Sequence, residues 1–183
     1  MNTTTAFDTA ELTTWLASLS SPPDLHGPVI SDRHGPVTLT RIGAGQSNLT
    51  FLAADGDGHR VVVRRPPLGR LTASAHDVLR EGRIMASLAG SGVPVPEIYG
   101  ATTTAGGVPV IAMSVVPGTS LNSRDAAAGL SPRARAAAAE GLVDAMVAVH
   151  AVDLDRTGLS TLASHEPLSL IHISEPTRLD VIS

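Results

Sequence analysis

Apolar and polar positions fall into two rhythms along this chain. Short β-branched and apolar runs punctuated by glycine and proline predict strands near Val37–Ile42, Leu49–Ala53, Arg60–Arg64, Ile98–Thr103 and Val108–Val115. Turn residues separate them at Asp55–Gly58 and Ala105–Gly107. Three other segments carry helical spacing. Near the amino terminus Phe7, Leu12, Trp15, Leu16 and Leu19 make one apolar face, with Asp8 as cap and Glu11 three residues on, the pattern of a capping box. Ser20 to Pro28, with three prolines, ends that helix. Within Thr72–Gly90, Val78, Ile84, Met85 and Leu88 share a broad face with the acidic Glu81. The Val93–Pro96 run, VPVP, then forces an extended segment. The last helix has Ser131 as cap and Pro132 in its first position, and runs to about His150 with Leu142, Ala145, Met146 and Val149 on one stripe. Five strands with one inserted helix predict an antiparallel α+β lobe, which the chain leaves at Pro117-Gly118.

Charge and composition narrow the chemistry. A formal charge of −4 with 13 basic residues, none in a run longer than two, offers no footprint for polymeric nucleic acid. There is no cysteine, hence no disulfide framework or thiolate metal site, and the seven histidines show no metal-ligand spacing on one helix. The opening MNTTTAFDTAELTTWLASL lacks a basic region and a long apolar run, so neither a signal peptide nor a membrane span is expected, and the cytoplasm is the expected compartment.

The chemistry concentrates in RIGAGQSNLTFLA, Arg41–Ala53, followed by VVVRRPP, Val61–Pro67. Gly43 and Gly45 allow a sharp turn in which amide N–H groups approach a phosphate with no Cβ in the way, and Ser47 and Asn48 add short polar groups. Such a turn between strands also serves as an ordinary hairpin. In VVVR the side chains alternate, so Val61 and Val63 share one face while Val62 and Arg64 share the other. Arg64 thus stands where the V-A-I-K strand of kinases carries its phosphate-pairing lysine. Glu81, one helix later, is placed to pair with Arg64 and hold it toward a nucleotide. The competing reading is a solvated charge beside Arg80 and Arg83.

Taken in order, GAGQSNLTF, VVVRRPPLG, AHDVLREGRIMASLAGSGVPVPEIYG, IAMSVVPGTSL and the helix ending in VAVHAVDL resemble the aminoglycoside phosphotransferase-like family. The likeness is to its acyl-CoA-dehydrogenase-associated branch, and it spans about Arg41 to Leu159. The resemblance implies a protein-kinase-like small lobe over residues 29–116, after an amino-terminal helix and linker over 1–28, and the first helices of an incomplete large lobe over 117–167. It further implies that Gly43, Ala44, Gly45, Gln46, Ser47 and Asn48 cover the phosphates of ATP, that Arg64 contacts them and that Glu81 orients Arg64. Met113, Ser114 and Val116 would lie along the hinge that bonds adenine through its backbone. Arg64 departs from the usual lysine, exchanging a point charge for a planar bidentate fork. The implied reaction moves the γ-phosphate of ATP to the hydroxyl of a small molecule, with Mg2+ required by the full-length enzyme.

Phosphoryl transfer also needs a proton-accepting aspartate and an asparagine and second aspartate for metal. In the family these lie in motifs like H-G-D-x-x-x-x-N beyond the last helix. Here His150, His165 and His172 are not followed by Gly-Asp, and no asparagine follows Asn122. His150 fits a helix C-terminus, where the macrodipole favours it. From Leu168 to Ser183 alanine and glycine vanish and three isoleucines appear, a break that resembles translated adapter DNA. The expectation is a native sequence ending near Pro167, with residues 168–183 a non-native tail and the catalytic groups missing. Two alternatives stay open. One is a noncatalytic nucleotide-binding or regulatory module, the other a structural α+β domain whose glycine loop is a plain hairpin.

Overall fold

A computed structural model describes residues 7–20, 29–43, 48–67, 77–121 and 123–162. Five strands, β1 (Thr38–Ile42), β2 (Leu49–Ala54), β3 (Arg60–Arg65), β4 (Ile98–Thr103) and β5 (Pro109–Met113), form one antiparallel sheet in the order β1-β2-β3-β5-β4. Four helices accompany it: α1 (Thr9–Ala17), α2 (Val78–Ser87), α3 (Arg124–Ala128) and α4 (Pro132–His150). The five expected strands are all present. The fifth is shorter than the sequence suggests, running from Pro109 to Met113, although Ser114 still bonds across to the Glu97 carbonyl beside β4 (2.8 Å). Helix α3 and a 3-10 turn at Leu159–Leu162 carry too little periodicity to be read from the sequence.

Strand alternation gives the sheet two unlike faces. On one, Phe51, Ala53, Val61, Val63, Val110 and Ala112 are buried together with Phe7, Leu12 and Leu16 from the amino-terminal segment and Ile30 and Val37 from the approach to β1. Helix α1 is therefore part of the sheet's own core. Just past its end, Leu19 packs so closely on β4 that a Cβ at Gly100 would stand 2.7 Å from Leu19 Cδ2. Polar bonds fix its pose. Thr13 Oγ1 accepts the Val37 N–H (2.9 Å) and donates to the Thr9 carbonyl (2.6 Å). Asp8 caps the helix as expected, accepting from the N–H groups of Ala10 and Glu11. The reciprocal half of the capping box is not formed with Glu11: its carboxylate accepts the Ala105 N–H instead (2.6 Å), in the β4–β5 turn, because tertiary docking offers a better donor than the helix's own first turn.

Helix α2 covers part of the other face, against β4 and β5. Its contact is made through Val78 and Gly82, both buried, and a Cβ at Gly82 would meet Ile111 Cγ2 at 2.9 Å. Asp77 caps it by accepting the Arg80 N–H (2.9 Å). The expected helix began at Thr72, but residues 71–76 lie outside the described residues, and Asp77 now marks the start. Ile84, Met85 and Leu88 are half-buried. Helix α4 starts at Pro132 under the Ser131 cap, as read from the sequence, yet Leu142, Val143, Met146, Val147 and Val149 are exposed. Contacts divide the chain into Met1–Val152 and Asp153–Ser183. In the second unit the Asp153 carboxylate caps the following turn through the N–H groups of Asp155 and Arg156. The expected tail, 168–183, lies outside the described residues.

The β2–β3 hairpin is held by a buried carboxylate. Asp55, whose side chain is 1% exposed, accepts from the Ser31 N–H (2.7 Å), the Asp57 and His59 N–H groups (both 2.9 Å) and His59 Nδ1 (2.8 Å). Burial alone pushes its pKa up, but the Ser31 and His59 bonds outweigh it and hold the carboxyl below the ordinary aspartate value. A lowered folded pKa gives stability that is complete above the unfolded pKa and is lost as pH falls through the folded one. Asp55→Asn is thus expected to lower stability at neutral pH and to flatten the acid limb of stability against pH. An unchanged acid limb, followed by chemical denaturation between neutral pH and pH 3, would show that the hairpin carboxylate does not carry this dependence.

Arg65 lies on the α1 face and is 2% exposed. Its guanidinium sits over the Phe7 ring (5.0 Å to the centroid), which in turn meets Phe51 edge to face. Burial lowers its pKa, but a guanidinium keeps its proton. Among the described residues Nε and Nη1 have no hydrogen-bond partner, and the cation lies against the ring.

Candidate functional site

Adjacent residues of β3 point to opposite sides of the sheet, and Arg64 emerges on the side of α2. Its Nε lies 3.1 Å from both carboxylate oxygens of Glu81, and its Nη1 donates to Thr50 Oγ1 (3.2 Å). Asn48, just before β2, donates through Nδ2 to Glu81 Oε2 (3.1 Å). The strand register explains the meeting: Thr50 is paired with Arg64 across β2 and β3, so both project from the same face. Arg64 and Glu81 are each about one-third exposed, at 31% and 32%. The pair is therefore open to solvent and to a ligand. Two guanidinium nitrogens are occupied, while Nη2 makes no hydrogen bond among the described residues. A guanidinium held in this way presents a fixed, permanently charged edge suited to phosphate.

Gly43 follows β1 at φ +79°, a conformation that favours glycine. Gly45, Gln46 and Ser47 lie outside the described residues, as does Ala44. Along the segment after β5, Met113 is buried and paired with Val62 and Ile98, Ser114 is half-buried and Val116 is exposed. Ser114 is fixed twice by Glu97: its N–H donates to the Glu97 carbonyl (2.8 Å) and its hydroxyl accepts the Glu97 N–H (3.0 Å). Its own carbonyl and the Val116 N–H make no hydrogen bond among the described residues, leaving one acceptor and one donor two residues apart.

The structure thus joins Asn48, Arg64 and Glu81 in one cluster and adds Thr50, which sequence reasoning missed. Cross-strand pairing was the available signal, since Thr50 falls opposite Arg64 once Phe51 is set opposite Val63. A possible cation cluster at Asp55, Asp57 and His59 is a different matter. The Asp55 oxygens are spent on Ser31, Asp57 and His59, and Asp57 pairs with His34 Nε2 (2.9 Å), so those groups already satisfy one another. No described helix is long and apolar enough to cross a membrane.

Comparison with known proteins bears on this arrangement. Residues 38–180 match the sequence profile of the phosphotransferase enzyme family. The chain belongs to that family. Among curated relatives it is 35% identical over 129 residues to acyl-CoA dehydrogenase family member 10 of Mus musculus, covering 69% of this chain and 12% of that protein. It is 33% identical over 132 residues to acyl-CoA dehydrogenase family member 11 of Rattus norvegicus, covering 70% and 17%. The fold matches the crystal structure of a candidate aminoglycoside phosphotransferase from Ralstonia eutropha with TM-score 0.61 and 26% identity, over 86% of this chain and 42% of that one. This phosphotransferase-family chain therefore spans under a fifth of the two curated relatives and under half of the solved structure. Its sheet with inserted α2 is the α+β small lobe of a kinase-like fold, as the resemblance implied.

Proposed function

We propose that this chain is the ATP-binding portion of a small-molecule phosphotransferase that moves the γ-phosphate of ATP to a hydroxyl group. The observation that carries the reading is the Arg64–Glu81 pair beside a glycine turn, with the Nη2 edge of Arg64 left free. Catalysis in such enzymes is positioning plus charge stabilisation. In this chain Arg64 binds and orients phosphate oxygens, Glu81 and Thr50 fix the guanidinium, and Gly43 opens the turn over the phosphates. The Ser114 carbonyl and Val116 N–H are the groups that would bond the adenine edge, with Met113 on the same segment.

Among the described residues Mg2+ finds no fitting donor set. The sequence holds no H-G-D-x-x-x-x-N motif and no asparagine after Asn122, and the Asp55 cluster is internally satisfied. No phosphotransfer is expected from these 183 residues alone.

A ligand that binds only the folded state raises stability with its concentration, by about 2.7 kcal/mol at a hundredfold excess over Kd. ATP is thus expected to raise the melting temperature progressively, with adenosine giving a smaller rise. No response up to millimolar ATP would leave the plain α+β domain as the reading. Phosphate transfer to any hydroxyl by this chain would overturn the inactivity.

A further inference from the structure

The cluster contains one group whose role the nucleotide reading does not explain. Asn48 stands where the family resemblance would have it cover phosphate, yet its amide is turned toward Glu81. A carboxylate only accepts, so the atom facing Glu81 Oε2 is Nδ2, and Oδ1 points the other way. That Oδ1 is buried with no hydrogen-bond partner among the described residues. An unsatisfied buried acceptor costs stability, so Asn48 is a poor choice for a residue serving the fold alone.

Its bond links three elements. Asn48 directly precedes β2, Glu81 belongs to α2 and Arg64 to β3. A one-third-exposed carboxylate held only by Arg64 Nε could rotate or be drawn into water. A second donor on Oε2, arriving from the residue before β2, fixes the plane of the carboxylate and with it the plane of the guanidinium.

Resting on the nucleotide reading above, we propose that Asn48 is a positioning residue. It latches the chain just before β2 to α2 through Glu81 and thereby sets the direction in which Arg64 presents its free edge to phosphate. Asn48 acts on the nucleotide through Glu81 and Arg64.

Two measurements test this, the first without nucleotide. Asn48→Asp places a second carboxyl against Glu81. Like charges at this distance raise one pKa of the pair, so the variant's contribution from a shared proton is present at acid pH and lost as pH rises through the raised value. The melting temperature of Asn48→Asp is therefore expected to fall from pH 5 to pH 8 relative to the parent chain, and Asn48→Asp with Glu81→Gln to lose that slope. A slope identical to the parent's would overturn the latch.

The second measurement is the affinity for ATP and for adenosine. Asn48→Ala is expected to weaken ATP roughly tenfold, the size of coupling seen between contacting residues, with adenosine unchanged and the melting temperature of the free protein not lowered. Equal ATP affinity in Asn48→Ala and the parent would overturn the positioning role, and so would a lowered melting temperature with ATP affinity intact. A parent chain that does not respond to ATP overturns the nucleotide reading and the positioning role with it, while the pH slope still decides whether Asn48 and Glu81 are coupled.

Discussion

Arg64→Ala is expected to abolish the ATP-dependent rise in melting temperature while changing the stability of the free protein little. The asymmetry follows from exposure. An ion pair one-third open to water contributes at most a small fraction of folding stability, but its guanidinium keeps Nη2 without a hydrogen bond among the described residues. Arg64→Lys should retain part of the response, since a charge remains but the fork that satisfies Glu81, Thr50 and a phosphate together does not. The neighbouring residue provides the control. Arg65 projects to the opposite face, over Phe7, so Arg65→Ala should leave the ATP response intact and act on packing. Differential scanning fluorimetry with increasing ATP separates the two. Equal loss of the response in both variants would contradict their placement on opposite faces of β3.

How far the molecule can be read from its sequence depends on the range of the interactions. Strand positions, both turns and the Ser131-Pro132 start of α4 are written in local chemistry: β-branched runs, glycines and a capping side chain with proline behind it. The alternation of VVVRR separates Arg64 from Arg65, and that separation places Glu81 beside Arg64. What stays hidden depends on three-dimensional neighbours. Glu11 looks like a capping-box partner of Asp8 until the β4–β5 turn brings the Ala105 N–H to it. Thr50 looks like any strand threonine until the register sets it across from Arg64. Gly82 passes for a weak helix residue, whereas it is the point where Ile111 comes too close for a Cβ. Asn48 reads as a phosphate contact by its position in the sequence, and only the folded structure aims its amide at Glu81.

Leu16→Ala is expected to cost about 2–5 kcal/mol, the range for deleting a fully buried leucine side chain. Leu16 is 0% exposed and belongs to the cluster that joins α1 to Phe51, Val61, Val63 and Val110. The hole it leaves cannot close easily, because α1 is pinned at both sides, by Thr13 to the Val37 N–H and by Glu11 to the Ala105 N–H. Urea denaturation reads the loss directly. Leu142→Ala on α4, where the leucine is 64% exposed, serves as the comparison and should fall within about 0.5 kcal/mol of the parent. A Leu16→Ala cost as small as that of Leu142→Ala would mean that α1 is not docked in solution. The folded fraction of Leu16→Ala should still respond to ATP, because the cavity opens on the face away from Arg64. Helix α1 and its hydrophobic face carry stability and the α2 face carries the charged cluster, so damage to one should be separable from damage to the other. A loss of ATP response in Leu16→Ala at temperatures where the protein remains folded would show instead that the two faces are coupled through the sheet.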